Sequence, residues 1–163
     1  MKKSELKNFI RDIPDFPKEG IIFKDITPLL NNNEAFKKTV DIFTKKYKKE
    51  NIKHIVAVES RGFIFGCALA YKLGAGFVPI RKKGKLPYKT KSVSYELEYG
   101  TDTLEIHEDA IEPNSNVLIV DDLLATGGTV KAVVDLLKDL KANIVGIACL
   151  IELKFLKGKS KLN

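Results

Sequence analysis

Residues 117–129, which read VLIVDDLLATGGT, constrain the fold of this chain more than any other stretch. Val117, Leu118, Ile119 and Val120 form the short, continuous apolar run expected of a strand buried on both faces of a parallel sheet. Val130, Val133, Val134, Leu137 and Leu140 then recur at helical spacing, so a helix follows a turn made of Thr126, Gly127, Gly128 and Thr129. In an open α/β sheet, ligands bind in the crevice at the carboxyl ends of the strands. Asp121 and Asp122 stand where this strand is expected to end. A Gly-Gly turn lets backbone N–H groups approach an anion, and the start of a helix adds a favourable dipole. Thr126 and Thr129 offer hydroxyl donors to the same group. Two carboxylates beside a phosphate cradle suit a ribose diol or a magnesium ion, so the segment predicts a site for a phosphorylated sugar.

Two commoner phosphate-binding patterns are excluded. A P-loop needs a Lys-Ser or Lys-Thr pair after its second glycine, and none follows Gly127 or Gly128; the dinucleotide fingerprint G-x-G-x-x-G is also missing. The 163 residues suffice for one domain with a sizeable core, and 44% hydrophobic with 30% charged residues fits a soluble globular chain. No apolar run approaches the roughly 20 residues of a membrane span. Met1-Lys2-Lys3-Ser4-Glu5 has no apolar segment behind its lysines, so a cytoplasmic protein without membrane association is expected. Cys67, in an apolar helical pattern, and Cys149, in an apolar strand, read as buried reduced thiols. The net charge of +7 comes from lysines scattered through the chain. No basic helix or aromatic-interleaved patch favours nucleic acid, whereas steering of a polyanionic small substrate accounts for part of the excess.

Along the chain, residues 3–11 predict a short helix and residues 20–26 an extended segment, followed by Thr27-Pro28 as a helix start. Phe36, Val40, Phe43 and Tyr47 mark the core stripe of a longer helix from Asn33. Residues 52–58 predict a strand, 62–73 a helix ending at Gly74, and 77–80 a strand. Val93, Tyr95, Leu97 and Tyr99 alternate, as do residues 103–106, which predicts an antiparallel hairpin around Gly100. The last strand is expected over residues 144–151. The fold is therefore read as α/β, an open parallel sheet with helices on both faces and an inserted antiparallel hairpin.

Glu59-Ser60-Arg61-Gly62 repeats the strand–turn–helix plan one βα unit earlier, with an arginine whose planar fork suits phosphate. Arg81-Lys82-Lys83-Gly84-Lys85 is the densest positive stretch, readable either as a solvated loop or as a basic loop facing an anion.

Residues 117–129 resemble the phosphoribosyl diphosphate (PRPP) motif of the type I phosphoribosyltransferases, in the version carried by adenine phosphoribosyltransferases. The resemblance runs from about Ile13 to Leu162. It implies one phosphoribosyltransferase domain over 1–163, with a base-binding hood at about 1–32 and a lid at about 81–106. It also implies that Asp121 and Asp122 meet the ribose hydroxyls, and that Ala125, Thr126, Gly127, Gly128 and Thr129 hold the 5′-phosphate. The ESRGF segment is similar to the family's pyrophosphate loop, which often carries a non-proline cis peptide, expected here at Glu59-Ser60. Ser60 and Arg61, with Arg81, Lys82 and Lys85, become the candidate pyrophosphate contacts.

The 6-oxopurine enzymes carry a third aspartate three places after the second acid; here that place is Ala125, the alanine of the adenine enzymes. An acid or base for the purine then comes from elsewhere. Residues 95–100 resemble the family's lid, whose glutamate before Tyr-Gly lies near the purine, which makes Glu98 a catalytic candidate beside Asp121 and Asp122. Which of the three handles the proton stays open, and an exposed strand glutamate is the plain alternative for Glu98. The family's base loop reads roughly V-x-F-R-D-I against Ile21-Ile22-Phe23-Lys24-Asp25-Ile26 here. Phe23 is the candidate for stacking on adenine, with main-chain groups of Ile22 and Lys24 reading its edge; lysine replaces the usual arginine. Expected partners are PRPP, adenine, AMP and pyrophosphate in a homodimer. Mg²⁺ is expected to be carried mainly by PRPP, with Asp121 as its candidate protein contact.

Overall fold

The computed structural model describes residues 2–96 and 100–162, and the chain divides into two compact units, Met1–Lys46 and Tyr47–Asn163. In the first unit a 3₁₀ segment (Lys3–Phe9) precedes a two-stranded antiparallel ribbon, β1 (Arg11–Pro14) and β2 (Ile22–Asp25), in which Ile13 faces Phe23. Helix α1 (Thr27–Asn31) has a proline in its first turn, and the Asp25 carboxylate accepts the Thr27 N–H at 2.9 Å. Thr27 is thus the first helical residue rather than the cap, which is Ile26, and Asp25 just outside the helix takes the Thr27 N–H. Helix α2 (Asn33–Tyr47) follows; Val40 and Tyr47 are buried as expected, but Ala35 and Thr39 are deeper than Phe36 and Phe43.

The second unit is a six-stranded sheet in the order β5-β6-β4-β3-β7-β8. β3 (His54–Val58), β4 (Gly76–Lys82), β7 (Asn116–Leu124) and β8 (Asn143–Glu152) run parallel, joined by α3 (Arg61–Leu73) and α4 (Gly128–Asp139). β5 (Thr90–Glu96) and β6 (Thr101–His107) form the expected hairpin, and β6 pairs antiparallel with the end of β4 through Arg81 and Lys82. The β4 strand therefore carries two residues that the sequence placed in a loop.

Strand parity assigns the helices to opposite faces. Val56, Val58, Val78, Ile80, Val117 and Ile119 form one core with Val133, Leu136 and Leu137 of α4. On the other face Gly66 of α3 lies so close to Ala57 and Phe77 that a Cβ there would sit 2.8 Å from the Ala57 methyl. Val130, Val133, Val134, Leu137 and Leu140, the stripe read from sequence, are all buried. Cys149 is half-buried and burial pushes its thiol up to about 12, whereas Cys67 lies on the exposed side of α3, so the expectation of two buried thiols is met in part at Cys149 and not at Cys67. Among the described residues no helix is long and apolar enough to cross a membrane.

Candidate active site

The parallel strands deliver two turns to the same end of the sheet. β7 pairs with β3 only as far as Val120, where β3 turns away into α3, but it stays paired with β8 through Leu124. Asp121 and Asp122 therefore lie within a strand that has lost one neighbour, rather than just past its end as the sequence implied. That half-open edge holds two acids rigidly while leaving one side accessible. A cleft of ≈ 220 Å³ is lined by Arg61 and residues 121–130, which brings together all five residues assigned to the phosphate loop, both aspartates and the arginine of the earlier turn.

Asp122 is buried, and its Oδ2 stands 2.5 Å from Arg61 Nη2. The Asp121 Oδ1 accepts the Asp122 backbone N–H at 2.8 Å. Burial, then the neighbouring Asp122 charge, pushes the Asp121 carboxyl up to about 7; Arg61 opposes the rise. One acid is thus neutralised by a fixed guanidinium and the other is poised to change charge near neutral pH. Gly62 makes this pairing possible, because a Cβ there would sit 3.0 Å from Asp121 Oδ1 and 3.2 Å from the Val120 carbonyl oxygen.

The turn before α4 is shaped by Gly127, which caps the helix at φ 83° and ψ −2°, a conformation open to glycine and costly for other residues. Gly128 begins the helix proper, with the Tyr95 ring and the Glu96 carbonyl oxygen in ordinary van der Waals reach of where its Cβ would be. The Tyr95 hydroxyl is 3.5 Å from Thr129 Oγ1, at the outer limit of a hydrogen bond. The end of β5 thus flanks the loop, and the alternation that flagged Tyr95 as a strand residue gave no sign of this. Glu98, the remaining catalytic candidate, lies outside the described residues.

The earlier turn is bound up in ion pairs. The peptide between Glu59 and Ser60 is cis, as the family resemblance implied, and Ser60 is exposed ahead of α3. The Glu59 side chain is largely buried and accepts from Arg81 Nε at 2.7 Å and the Lys82 backbone N–H at 3.1 Å, with Lys85 Nζ at 3.2 Å. Burial alone would raise its carboxyl, but these partners outweigh it and hold the group below the ordinary value. Lys82 Nζ instead meets Asp102 at 3.0 Å. Arg81 and Lys85 therefore gather on one buried carboxylate, and Glu59, which received no role from the sequence, is the group that collects them.

In the N-terminal unit, Phe23 packs edge-on against Phe16 with ring centroids 5.2 Å apart. Ile22 is 55% exposed, and the Lys24 ammonium is paired with Asp12 at 2.7 Å.

Residues 26–161 match the family model described as phosphoribosyl transferase domain. The chain is 61% identical, over 97% of its length and 92% of the relative's, to the adenine phosphoribosyltransferase of Geotalea uraniireducens. Its structure is similar to that of the Thermoanaerobacter pseudethanolicus adenine phosphoribosyltransferase, with a TM-score of 0.96 at 52% identity, covering 99% of this chain and 94% of the other. The Saccharomyces cerevisiae enzyme, solved in complex with an imino-altritol bisphosphate and adenine, gives a TM-score of 0.95 at 47% identity over 99% and 94% of the two chains. The strand order, the paired aspartates at a half-open strand edge and the glycine-capped turn beneath them accord with this likeness, and the chain belongs to the phosphoribosyl transferase family, among its adenine phosphoribosyltransferases.

Proposed function

We propose that this chain transfers the 5-phosphoribosyl group of PRPP to adenine, giving AMP and pyrophosphate, and works as a cytoplasmic homodimer. The observation that carries the reading is the Asp121–Asp122 pair heading a cleft floored by the glycine-capped 125–129 loop, in a chain of this family. Loop 125–129 takes the 5′-phosphate on backbone N–H groups and the Thr126 and Thr129 hydroxyls. Asp121 and Asp122 take the ribose hydroxyls. As the bond to pyrophosphate breaks, positive charge develops on the ribose ring, and carboxylates already fixed beside it stabilise that charge without reorganising. Arg61 holds Asp122 in place, and with Ser60 it faces the leaving pyrophosphate. Arg81, Lys82 and Lys85 supply the neighbouring positive charge.

No three His, Cys, Asp or Glu side chains converge as a metal cage among the described residues. Two adjacent carboxylates, one of them held by Arg61, fit a magnesium ion that arrives on the diphosphate and keeps most of its oxygen ligands from there, with Asp121 as the protein's contact. Such an ion, when bound, neutralises charge on the leaving group.

Residues 1–32 are assigned as the hood that grips adenine, through Phe23 and the main chain of Ile22 and Lys24, and residues 81–106 as the lid. Ala125 replaces the acid that 6-oxopurine enzymes use, which favours adenine over hypoxanthine or guanine. A competition assay with PRPP, Mg²⁺ and equal adenine, hypoxanthine, guanine, xanthine and orotate tests the reading. AMP is the expected dominant product; a different nucleotide would discard the base assignment, and binding of PRPP without any product would discard the enzyme.

A further inference from the structure

The two glycines that meet behind the proposed phosphate loop are Gly127 and Gly158, thirty-one residues apart in sequence. Beyond β8 the chain makes two 3₁₀ turns, Lys154–Leu156 and Gly158–Lys161, joined by Lys157 at φ 52°. Gly158 is buried although it sits in a run of lysines. A Cβ on Gly158 would overlap the Ala125 carbonyl oxygen and stand 3.0 Å from the Gly127 nitrogen; a Cβ on Gly127 would overlap the Gly158 carbonyl oxygen and stand 3.2 Å from its Cα. Each glycine excludes a side chain from the other, and every atom in the way is backbone, which cannot rotate aside. Gly158 itself has no left-handed φ, so only this close approach demands glycine there.

The segment is tied down on both sides of the contact. Leu153 N–H donates to the Leu124 carbonyl at 2.9 Å, just before the loop begins. Lys159 Nζ pairs with Glu152 at 3.0 Å, and Ser160 donates through its N–H and its hydroxyl to the Lys157 carbonyl at 3.0 and 2.8 Å. The strap thus starts at the end of β8, beside the paired end of β7 from which the loop it touches departs.

We propose that the strap formed by residues 153–161 is the template that sets the 125–129 loop in its anion-receiving conformation, with Gly158 as a positioning residue for the phosphorylated end of PRPP. The inference rests on the assignment of that loop to the 5′-phosphate. Backing by main chain fixes the loop before substrate arrives, so its N–H groups do not reorganise on binding. The backbone approach of Gly158 falls on Ala125 and Gly127, so the effect is expected at the phosphorylated end of the substrate.

Calorimetric titration of ribose 5-phosphate and, separately, of pyrophosphate with Mg²⁺ tests this in the wild-type chain, in Gly158→Ala and in a chain ending at Lys157. The first variant inserts a clash; the second removes the backing without one. By the cost of misplacing a binding group by about 1 Å, both variants should weaken ribose 5-phosphate by about tenfold or more while pyrophosphate stays within about twofold. Unchanged ribose 5-phosphate affinity in both variants would overturn the proposal and leave the loop assignment standing. Parallel weakening of both ligands would also overturn it, since a merely structural strap acts on the whole unit. If the wild-type chain binds pyrophosphate but not ribose 5-phosphate, the loop assignment itself fails and the proposal with it. Should Gly158→Ala not melt cooperatively, the shortened chain decides by the same criteria.

Discussion

The turn between β7 and α4 and the turn between β3 and α3 share one plan, and they are held by different forces. Around residues 125–129 the backing is uncharged, a glycine from the C-terminal strap behind and the Tyr95 ring and hydroxyl beside, although Arg61, Asp121 and Asp122 line the same cleft. Around residues 59–61 the side chains are tied by charge: Glu59 collects Arg81 and Lys85, and Arg61 is paired with Asp122. A loop fixed by backbone contact has its shape in advance and is insensitive to salt and pH. A loop fixed by ion pairs is set by charges that an arriving polyanion competes for. In the proposed reaction this matches the fate of each end of PRPP, since the 5′-phosphate stays bound through the transfer while pyrophosphate must leave.

The start of α3 is tied to the strand that carries the other turn by the Arg61–Asp122 pair, and breaking it should give the largest effect. Asp122→Asn and Arg61→Ala each leave a partner uncompensated, and Arg61→Ala leaves the buried Asp122 carboxylate without its cation. A loss in kcat/KM on the order of 10²–10³ is expected, with far-ultraviolet circular dichroism unchanged. Near wild-type kcat/KM in a folded Arg61→Ala, Asp122→Asn double variant would remove both from the site.

The neutral loop makes the next prediction. Gly127 has both a left-handed φ and the strap behind it, so Gly127→Ala should cost at least about 2 kcal/mol. Gly128 has neither constraint and occupies the first helical position, where alanine is a better helix former; Gly128→Ala should leave stability within roughly 1 kcal/mol or raise it slightly. Chemical denaturation of the two variants separates them, and equal losses would show that the strap does not constrain Gly127.

Much of this frame was legible before any coordinates. The β7 run, the α4 stripe, the hairpin and the cis Glu59-Ser60 peptide all fall where periodicity or family resemblance put them. What escaped has a common cause, which is dependence on residues far along the chain. β7 runs through Asp121 and Asp122 because β8 pairs with it to Leu124, and nothing within residues 117–124 encodes that register. Gly158 is one glycine in a lysine-rich tail, and only the approach of Ala125 and Gly127 gives it meaning. Glu59 carries no local signal because its cations come from the end of β4 and the loop beyond. Cys67 is exposed despite its apolar surroundings in sequence, because an apolar helical pattern does not by itself say which side of α3 faces the sheet.

The titration of Asp121 sharpens the contrast between neutral and charged supports. Its carboxyl is about 7 in the folded chain against an ordinary 3.8, so the folded state binds the extra proton between those values. Stability attributable to this group is therefore highest below pH 4, falls as pH rises through that window and is lowest above pH 7. Asp121→Asn should stabilise the unliganded chain at pH 8 by on the order of 1–3 kcal/mol, with the gain vanishing near pH 4, although it abolishes transfer. Melting curves at the two pH values measure this, and a destabilised Asn variant at pH 8 would mean that favourable contacts of the Asp121 carboxylate outweigh its burial and the Asp122 charge.

The smallest effect is expected at Glu59, for a reason that follows from exposure. Its carboxylate is well covered, but Arg81 and Lys85 are 36% and 52% exposed, so water and salt screen both pairs. Glu59→Gln keeps an acceptor for the Lys82 N–H and loses only the charge, which should cost about 1 kcal/mol or less at pH 7. Because the folded carboxyl lies below its ordinary value, the stabilisation is present above about pH 4.5 and is lost as pH falls through the folded carboxyl's own titration, so wild type and variant should converge at acid pH. Freed of their carboxylate, Arg81 and Lys85 should bind pyrophosphate several-fold more tightly at low salt, and the gain should shrink as ionic strength rises. Weaker pyrophosphate binding in Glu59→Gln would reverse the comparison between the two turns: Glu59 would then be the scaffold that presents the cations to the anion, as the strap presents the 125–129 loop, rather than a competitor for them.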